Sequence, residues 1–336
     1  GRLVNILLTG ATGTFGKAFL RYVLADRRVN VNRLAAFARS ESRLALLNEQ
    51  YGAHEAFRPF LGDVRDERRL RDACAGVDVV VHAAALKRVD DGAYIPLEMH
   101  KTNVQGSINV ANAAREVGVK KVILISSDKA VAPINTYGAS KYQAENCLLE
   151  LNSHAAPVGT SISCVRYGNV LASTGSVLTV WRRQIKAGRP LTVTDKTMTR
   201  FWLTANEAVE HVFRSLELMH GGEIFIPKIR SSSIKTLAEA FHPQGKVSIV
   251  GKRVGGEKLH EALINTDEHE RAISQKGVIV IPPAVQGTRL SWTKHEWVGD
   301  NSTSVPNPYT SSNPSLCDMT TVDLHALLVS ATGEAI

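Results

Sequence analysis

Gly10-Ala11-Thr12-Gly13-Thr14-Phe15-Gly16 forms a glycine-rich turn between an apolar, β-rich run, Asn5–Thr9, and a helical pattern over Phe15–Ala25. Few folds place such a turn there. Glycine tolerates the tight bend, lets the backbone approach a pyrophosphate, and allows the helix to pack close to the strand. The helix amino terminus offers N–H donors and a positive dipole to the anion. Glycine-rich turns are common in loops, so the flanking strand and helix are what mark this one as a dinucleotide site.

The first half of the chain keeps the same rhythm. Strands are predicted over Arg33–Ala38, Ala56–Leu61, Val77–Ala83 and Lys121–Ser126, with helices over Ser42–Tyr51, Glu67–Ala75 and Pro96–Val117 between them. Such alternation builds a parallel sheet covered on both faces. The fold class read from it is α/β, a Rossmann-type doubly wound parallel sheet over 1–166, with 201–228 returning to it. Beyond about Tyr167 the alternation loosens, and 167–200 with 229–300 is assigned to a smaller C-terminal substrate-binding domain. Residues 301–336 read as an extended C-terminal segment with a closing helix over Thr320–Val329; the polar, turn-rich Asp300–Pro314 is expected on the surface.

Composition removes several function classes. Hydrophobic (44%) and charged (21%) fractions are those of an ordinary globular protein. Apolar runs such as Val77–Ala85 and Val122–Ile125 stop well short of the roughly 18 residues a membrane span needs. No basic-then-apolar leader precedes the first strand, so a cytoplasmic protein is expected; Gly1 in place of an initiator Met leaves trimming or an excised domain open. Cys74, Cys147, Cys164 and Cys317 are scattered, without a CxxC pair or a nearby His cluster. They read as structural thiols in a reducing compartment, and no metal is expected. The formal charge of +8 is spread along the chain, which argues against nucleic acid. It suits a basic proteome or an anionic small substrate equally well.

The end of the second strand selects the dinucleotide. NAD binders place Asp or Glu there for the ribose 2′-hydroxyl, whereas Arg accommodates a 2′-phosphate. Here the chain reads Phe37-Ala38-Arg39-Ser40 with no acid until Glu41, so NADP is preferred. Asp63-Val64 is placed to contact the adenine. His82-Ala83-Ala84-Ala85 closes the fourth strand with small residues where the cofactor must pass, although the alanines also suit plain helix–sheet packing.

Tyr137-Gly138-Ala139-Ser140-Lys141 carries a YxxxK spacing, which on a helix puts both side chains on one face. Lys141 is then expected to bind the nicotinamide ribose and lower the Tyr137 pKa, making the phenol a usable base. Before it, at the strand end Ser126-Ser127, stands Asp128-Lys129. A plain dehydrogenase or epimerase needs neither group, and a solvated Asp-Lys turn needs no chemistry. A sugar 4,6-dehydratase needs both functions: oxidation at C4 makes the C5 proton acidic, a base removes it, and an acid protonates the departing C6 hydroxyl.

With these residues in view, the chain resembles the inverting UDP-N-acetylglucosamine 4,6-dehydratases, a group of extended short-chain dehydrogenases. The matching segments are TGATGTFGKAF, GDVRD, HAAALK, KTNVQGSINV, SSDKAVAPINTYGASK, VRYGNVLAS, TDKTMTRFW, GGEIFIPK and GEKLHE. The Asp-Lys pair separates this group from retaining dehydratases, which carry Asp-Glu. The resemblance implies Asp128 as acid, Lys129 as base at C5 and Tyr137 as base for the C4 oxidation. The cofactor set is Gly10, Thr12, Gly13, Thr14, Phe15, Gly16, Arg39, Ser40, Asp63, Val64, Ala83, Ala84, Ala85, Lys87, Asn103, Ser126, Tyr137, Lys141 and Val170. Lys87, Asn169, Ser176, Val177, Thr192, Thr194, Arg200 and Glu257 are assigned to the UDP-sugar. Arg200 suits a diphosphate through its forked donors, and Thr192–Asp195 resembles the uracil-contacting strand. To act as a base, Lys129 needs a depressed pKa, expected from burial beside Lys87 or Lys141.

Two segments depart from the pattern. Ala172-Ser173-Thr174-Gly175-Ser176-Val177-Leu178-Thr179 lacks the Arg and Pro of the family's ASRGSVVP, and Arg253-Val254-Gly255-Gly256-Glu257 is one residue longer than RxGEK. Competing readings are an NADP-dependent UDP-sugar epimerase or reductase, and a catalytically silent dinucleotide-sensing scaffold. The fold class and the resemblance also imply a homo-oligomer: a dimer through the Pro96–Val117 and Tyr137–Leu151 helices, with Val104, Ile108, Ala111, Tyr142 and Leu149 outward, and a hexamer of such dimers.

Overall fold

The structure, a computed structural model, describes residues 3–26, 28–88, 93–155, 159–252, 255–275, 277–283 and 305–333. Its main sheet contains β1 (Val4–Thr9), β2 (Val31–Ala38), β3 (Phe57–Leu61), β4 (Val79–His82), β5 (Lys121–Ile125) and β6 (Ser161–Val165). The strands β7 (Asn169–Val170), β8 (Leu191–Val193) and β9 (Thr199–Leu203) leave it; β10 (Ile224–Pro227) returns to it. The remaining strands are β11 (Ser231–Ser233), β12 (Val247–Ile249), β13 (Ile273–Gln275) and β14 (Val278–Ile281). The order across the large sheet is β13-β14-β10-β6-β5-β4-β1-β2-β3, parallel from β3 to β10 and antiparallel beyond. Chain order therefore reverses between β1 and β4, where α/β sheets open a crevice at the strand ends.

The helices are α1 (Thr14–Leu20), α2 (Glu41–Tyr51), α3 (Glu67–Cys74), α4 (Pro96–Met99), α5 (Gly106–Glu116), α6 (Thr136–Ala155), α7 (Val177–Lys186), α8 (Ala205–Leu218), α9 (Ile234–Phe241), α10 (Thr266–His269) and α11 (Thr321–Thr332). Alternation along β1 divides the core: Ile6 and Leu8 join Phe19, Val209 and Val212 on one face, while Leu7 joins Leu70, Val110 and Leu148 on the other. A third cluster, with Trp181, Met198, Trp202, Phe241 and Leu324, lies under the smaller sheets β11-β9-β7 and β12-β8. The closing helix starts at a capping box, Thr320 with Asp323, and stops at left-handed Gly333.

Three expectations need correction. Residues 273–281, assigned to the smaller domain, extend the large sheet, because β14 pairs with β10. Asp300–Pro314 was expected on the surface; of its described part, Tyr309 and Ser311 are buried, Tyr309 stacked on Phe201 and Thr310 bridged to Ala262. Third, Val104 and Ala111 face the interior rather than outward. A wide π turn over His100–Gln105 precedes α5 and offsets the faces that a regular helix would present.

Candidate active site

The crevice between β1 and β4 is shaped for a backbone-close ligand. Gly10 has φ +70°, and a Cβ there would lie 2.7 Å from backbone atoms of Ala83 and Ala84. The first turn of α1 carries no acid, as an anion requires. Behind the crevice, Thr9 Oγ1 meets His82 Nδ1 at 2.7 Å and His82 Nε2 meets Ser107 Oγ at 3.0 Å. Burial lowers the His82 pKa to about 3, so this imidazole is a neutral bridge. Asn103 is fully buried; it accepts from Leu86 N (2.7 Å) and donates to Leu86 O (2.8 Å) and Ser140 Oγ (2.9 Å). Its amide thus fastens the loop bearing Lys87 to the helix bearing Tyr137 and Lys141. Arg39 is exposed at the end of β2, and Ser40 caps α2. Asp63 is bound on both oxygens by Arg65, whose hydrogen bonds hold the carboxyl below its usual range, and Val64 is buried.

The catalytic candidates sit on a short 3₁₀ turn, Asp128–Ala130, directly after β5. Asp128 is fully buried, and Lys129 Nζ donates to its Oδ1 at 3.0 Å. Ser127 Oγ donates to the same oxygen at 2.8 Å. Gly138 lets α6 come close, since a Cβ there would lie 2.3 Å from Lys129 O. Lys141 Nζ donates to Ile125 O at 2.6 Å, and burial lowers its pKa to about 8.

Electrostatics depart from expectation at two points. Desolvation raises the Tyr137 pKa, and the cation that opposes it is Lys129, not Lys141, whose ammonium is held by the Ile125 carbonyl. Burial alone would lower the Lys129 pKa, but the charges of Asp128 and Glu261 reverse it, so the net shift is upward. The expected depression is absent because carboxylates outweigh neighbouring cations. Lys87 carries the lowered pKa instead, through desolvation and then the Lys129 charge.

On the substrate side, Arg200 points inward. It donates to Thr199 O (2.6 Å), Leu259 O (3.1 Å), Lys258 O (3.0 Å) and Glu257 Oε1 (3.1 Å), so its fork organises the 257–261 loop instead of standing free for a diphosphate. Thr192 is held by Gln184 at both its N (3.0 Å) and Oγ1 (2.8 Å), and Thr194 Oγ1 reaches Met198 Sδ. Val170 ends β7, and Val177 opens α7. Thr174, where the family reads Arg, meets Thr14 of the glycine-rich turn: its N donates to Thr14 Oγ1 at 3.0 Å. Of the lengthened 253–257 segment, 253 and 254 lie outside the described residues. Ten buried side-chain polar atoms among the described residues lack a hydrogen-bond partner, and five of them are Ser126 Oγ, Asp128 Oδ2, Asn169 Oδ1, Ser176 Oγ and Glu257 Oε2. Such atoms are rare in folded proteins. All five belong to residues assigned to the cofactor, the chemistry or the sugar, which fits a site built for polar ligands.

Sequence reasoning missed Ser127, Ser140, Lys258 and Glu261. Glu261 and Lys258 lie in the matched GEKLHE segment, but their proximity to Lys129 depends on tertiary packing.

Comparison with known proteins agrees with this picture. A family model described as polysaccharide biosynthesis protein matches residues 6–283. An inverting UDP-N-acetylglucosamine 4,6-dehydratase of Campylobacter jejuni is 41% identical over 283 residues, 84% of each chain. A UDP-glucose 4-epimerase of Rickettsia massiliae is 35% identical over 314 residues, 92% of this chain and 91% of its own. Pen from Bacillus thuringiensis superposes with a TM-score of 0.86 at 32% identity, covering 98% of this chain and 97% of that one. DesIV, a dTDP-glucose 4,6-dehydratase from Streptomyces venezuelae solved with NAD and TYD, gives 0.67 at 21% identity over 75% and 86% of the two chains, which speaks for the fold. The extended short-chain dehydrogenase fold is thus shared along nearly the whole length, and the chain belongs to the polysaccharide biosynthesis protein family, alongside the inverting UDP-N-acetylglucosamine 4,6-dehydratases.

Proposed function

We propose that this protein removes water from a UDP-N-acetylhexosamine, UDP-GlcNAc first, giving a 4-keto-6-deoxy sugar nucleotide inverted at C5, with NADP as cofactor. The observation that carries the reading is the Asp128–Lys129 contact of 3.0 Å on the turn packed under the Tyr137 helix. An epimerase acting at C4 has no use for an acid–base pair at C5 and C6. NADP rests on Arg39 at the end of β2, where the chain carries no acid before Glu41.

A nicotinamide dinucleotide held by the Gly10–Gly16 turn, Arg39 and Lys141 would supply the hydride chemistry, as acceptor from C4 and donor to C6. Tyr137 removes the C4 hydroxyl proton, with the Lys129 charge opposing the cost of a buried phenolate. The resting pair is ammonium and carboxylate, so Lys129 becomes a base by passing a proton along its hydrogen bond to Asp128 Oδ1. A substrate that covers the pair and expels water favours these neutral forms. The amine then takes the C5 proton, and the Asp128 acid gives its own to the C6 hydroxyl, which leaves as water. Ammonium and carboxylate are restored; hydride addition at C6 then lets C5 take one proton on the opposite face, which balances the proton Tyr137 took from the C4 hydroxyl.

The test is incubation of purified protein with UDP-GlcNAc in heavy water. Loss of one water, one deuterium at C5 and the L-arabino 4-keto product are expected. A C4 epimer without water loss would establish the epimerase reading instead, and early D-xylo product would sink the inversion.

A further inference from the structure

We propose that Glu261 is a positioning residue of this reaction: a second carboxylate that holds the Lys129 amine in place and sets the pH at which it becomes a base. The proposal rests on the reading of Lys129 as the base at C5. Glu261 is 2% exposed and stands among three cations. Its Oε1 is 3.6 Å from Lys129 Nζ and 4.0 Å from Arg200 Nε, and its Oε2 is 3.2 Å from Lys258 Nζ. Oε2 has no hydrogen-bond partner, so the carboxylate is held by charge. Burying an ion without such bonds costs stability, and a purely structural anchor would not be built that way.

The backbone around Glu261 is fixed. Its N donates to Ser311 Oγ at 2.9 Å, and its O accepts from Ser311 N at 2.7 Å. Ser311 Oγ in turn meets Thr199 Oγ1 at 2.7 Å, and Lys258 Nζ donates to Val131 O beside the catalytic turn. The groups that face Lys129 are Asp128, Glu261, Arg200, Lys87 and Tyr137. During elimination Asp128 is protonated and loses its charge. Glu261 is then the anion left to hold Nζ, and it stabilises the ammonium that Lys129 becomes on taking the C5 proton.

The experiment compares the pH profile of C5 deuterium exchange in native protein, Glu261→Gln and Lys258→Met. A neutral amine is required: transfer to Asp128 supplies a pH-independent share of it, and loss of the ammonium proton to solvent adds to that share, so exchange rises with pH through the Lys129 pKa. Glu261→Gln removes an anion and should move that acid limb down by about one pH unit, a roughly tenfold change in neutral amine at fixed pH. Lys258→Met removes a cation and should move it up. KM for UDP-GlcNAc should change less than about threefold in both, whereas a merely structural loss would lower the rate without moving the limb. A Glu261→Gln profile that overlays the native one overturns the proposal. Should that variant fail to fold, an unmoved or lowered limb in Lys258→Met overturns it equally. Titrating Lys129 Nζ by NMR, assigned with Lys129→Ala, reads the same shifts without turnover. Shifts as expected in a protein that never dehydrates UDP-GlcNAc would therefore remove the functional reading and leave the Glu261–Lys129 link standing.

Discussion

Replacing Arg166 by leucine should weaken the fold and invert its response to mild acid. Arg166 is 1% exposed and donates to both oxygens of Glu145 (2.8–3.1 Å), both of Glu268 (2.7 and 2.8 Å) and Leu263 O (3.2 Å). It joins the Tyr137 helix to β6 and to the start of α10. Removing one member of a buried ionic cluster leaves uncompensated charge and costs about 3–5 kcal/mol. Burial pushes the Glu268 pKa up, but the Arg166 hydrogen bonds and charge outweigh it, so the folded value lies below the ordinary 4.5. In the native protein this contribution is complete above about pH 4.5 and drains as pH falls through the folded value. In the variant burial, the largest influence on Glu268, is opposed only by the Asn265 N–H and the Arg271 charge, so the folded pKa rises above the unfolded one and stability rises as pH falls toward it. Urea unfolding followed by circular dichroism at about pH 7 and about pH 5.5 measures both the loss and its sign. A loss under about 1 kcal/mol, or a deficit relative to native protein that is no smaller at about pH 5.5 than at about pH 7, refutes the reasoning.

Lys129→Ala should abolish water loss while slow transfer of the C4 hydrogen to the cofactor persists; general-base losses are about 10²–10⁴-fold, so dehydration within about threefold of native would remove Lys129 from that role. Gly10→Ala should bind dinucleotide at least about tenfold more weakly, because the new Cβ meets the Ala83–Ala84 backbone at 2.7 Å; unchanged binding by calorimetry contradicts this. Native protein should bind NADP ahead of NAD, and Arg39→Asp should erode or reverse the order; equal affinity of native protein for both would end the argument from β2. Tyr142 is 46% exposed on α6, and the chain should sediment as at least a dimer at micromolar concentration; a strictly monomeric mass is the contrary result.

Regular elements were legible because each strand of the parallel sheet is a short apolar run and each covering helix a periodic one. Val4–Thr9, Glu41–Tyr51 and Lys121–Ile125 fall within a residue or two of expectation. The π turn at His100–Gln105 was not, since no residue type encodes it, and the burial of Val104 and Ala111 went with it. Motif spacing brought Tyr137 and Lys141 forward as candidates, and position at the strand end brought Asp128 and Lys129. Both were silent on their charge states, which depend on Glu261 and the Ile125 carbonyl, groups distant from them in sequence. Arg200 looked like a free anion ligand for the same reason: the carbonyls that occupy it belong to a loop brought in by folding. Polar composition misplaced the 305–314 stretch, because serine and threonine can be buried wherever the backbone supplies partners, as at Ser311.

That clamp has a bearing on biosynthesis. Thr199 and Ser311 touch across 112 positions of sequence, so this contact must wait until Ser311 has left the ribosome. The glycine-rich turn, the 3₁₀ turn and the Tyr137 helix are translated long before, and a nascent chain ending ahead of Ser311 carries all of them. It lacks the Ser311 bonds that fix the Glu261 backbone. A message cut short there encodes a dinucleotide-binding half with an unfinished charge cluster, and quality control would meet it as a folded sheet with an open end.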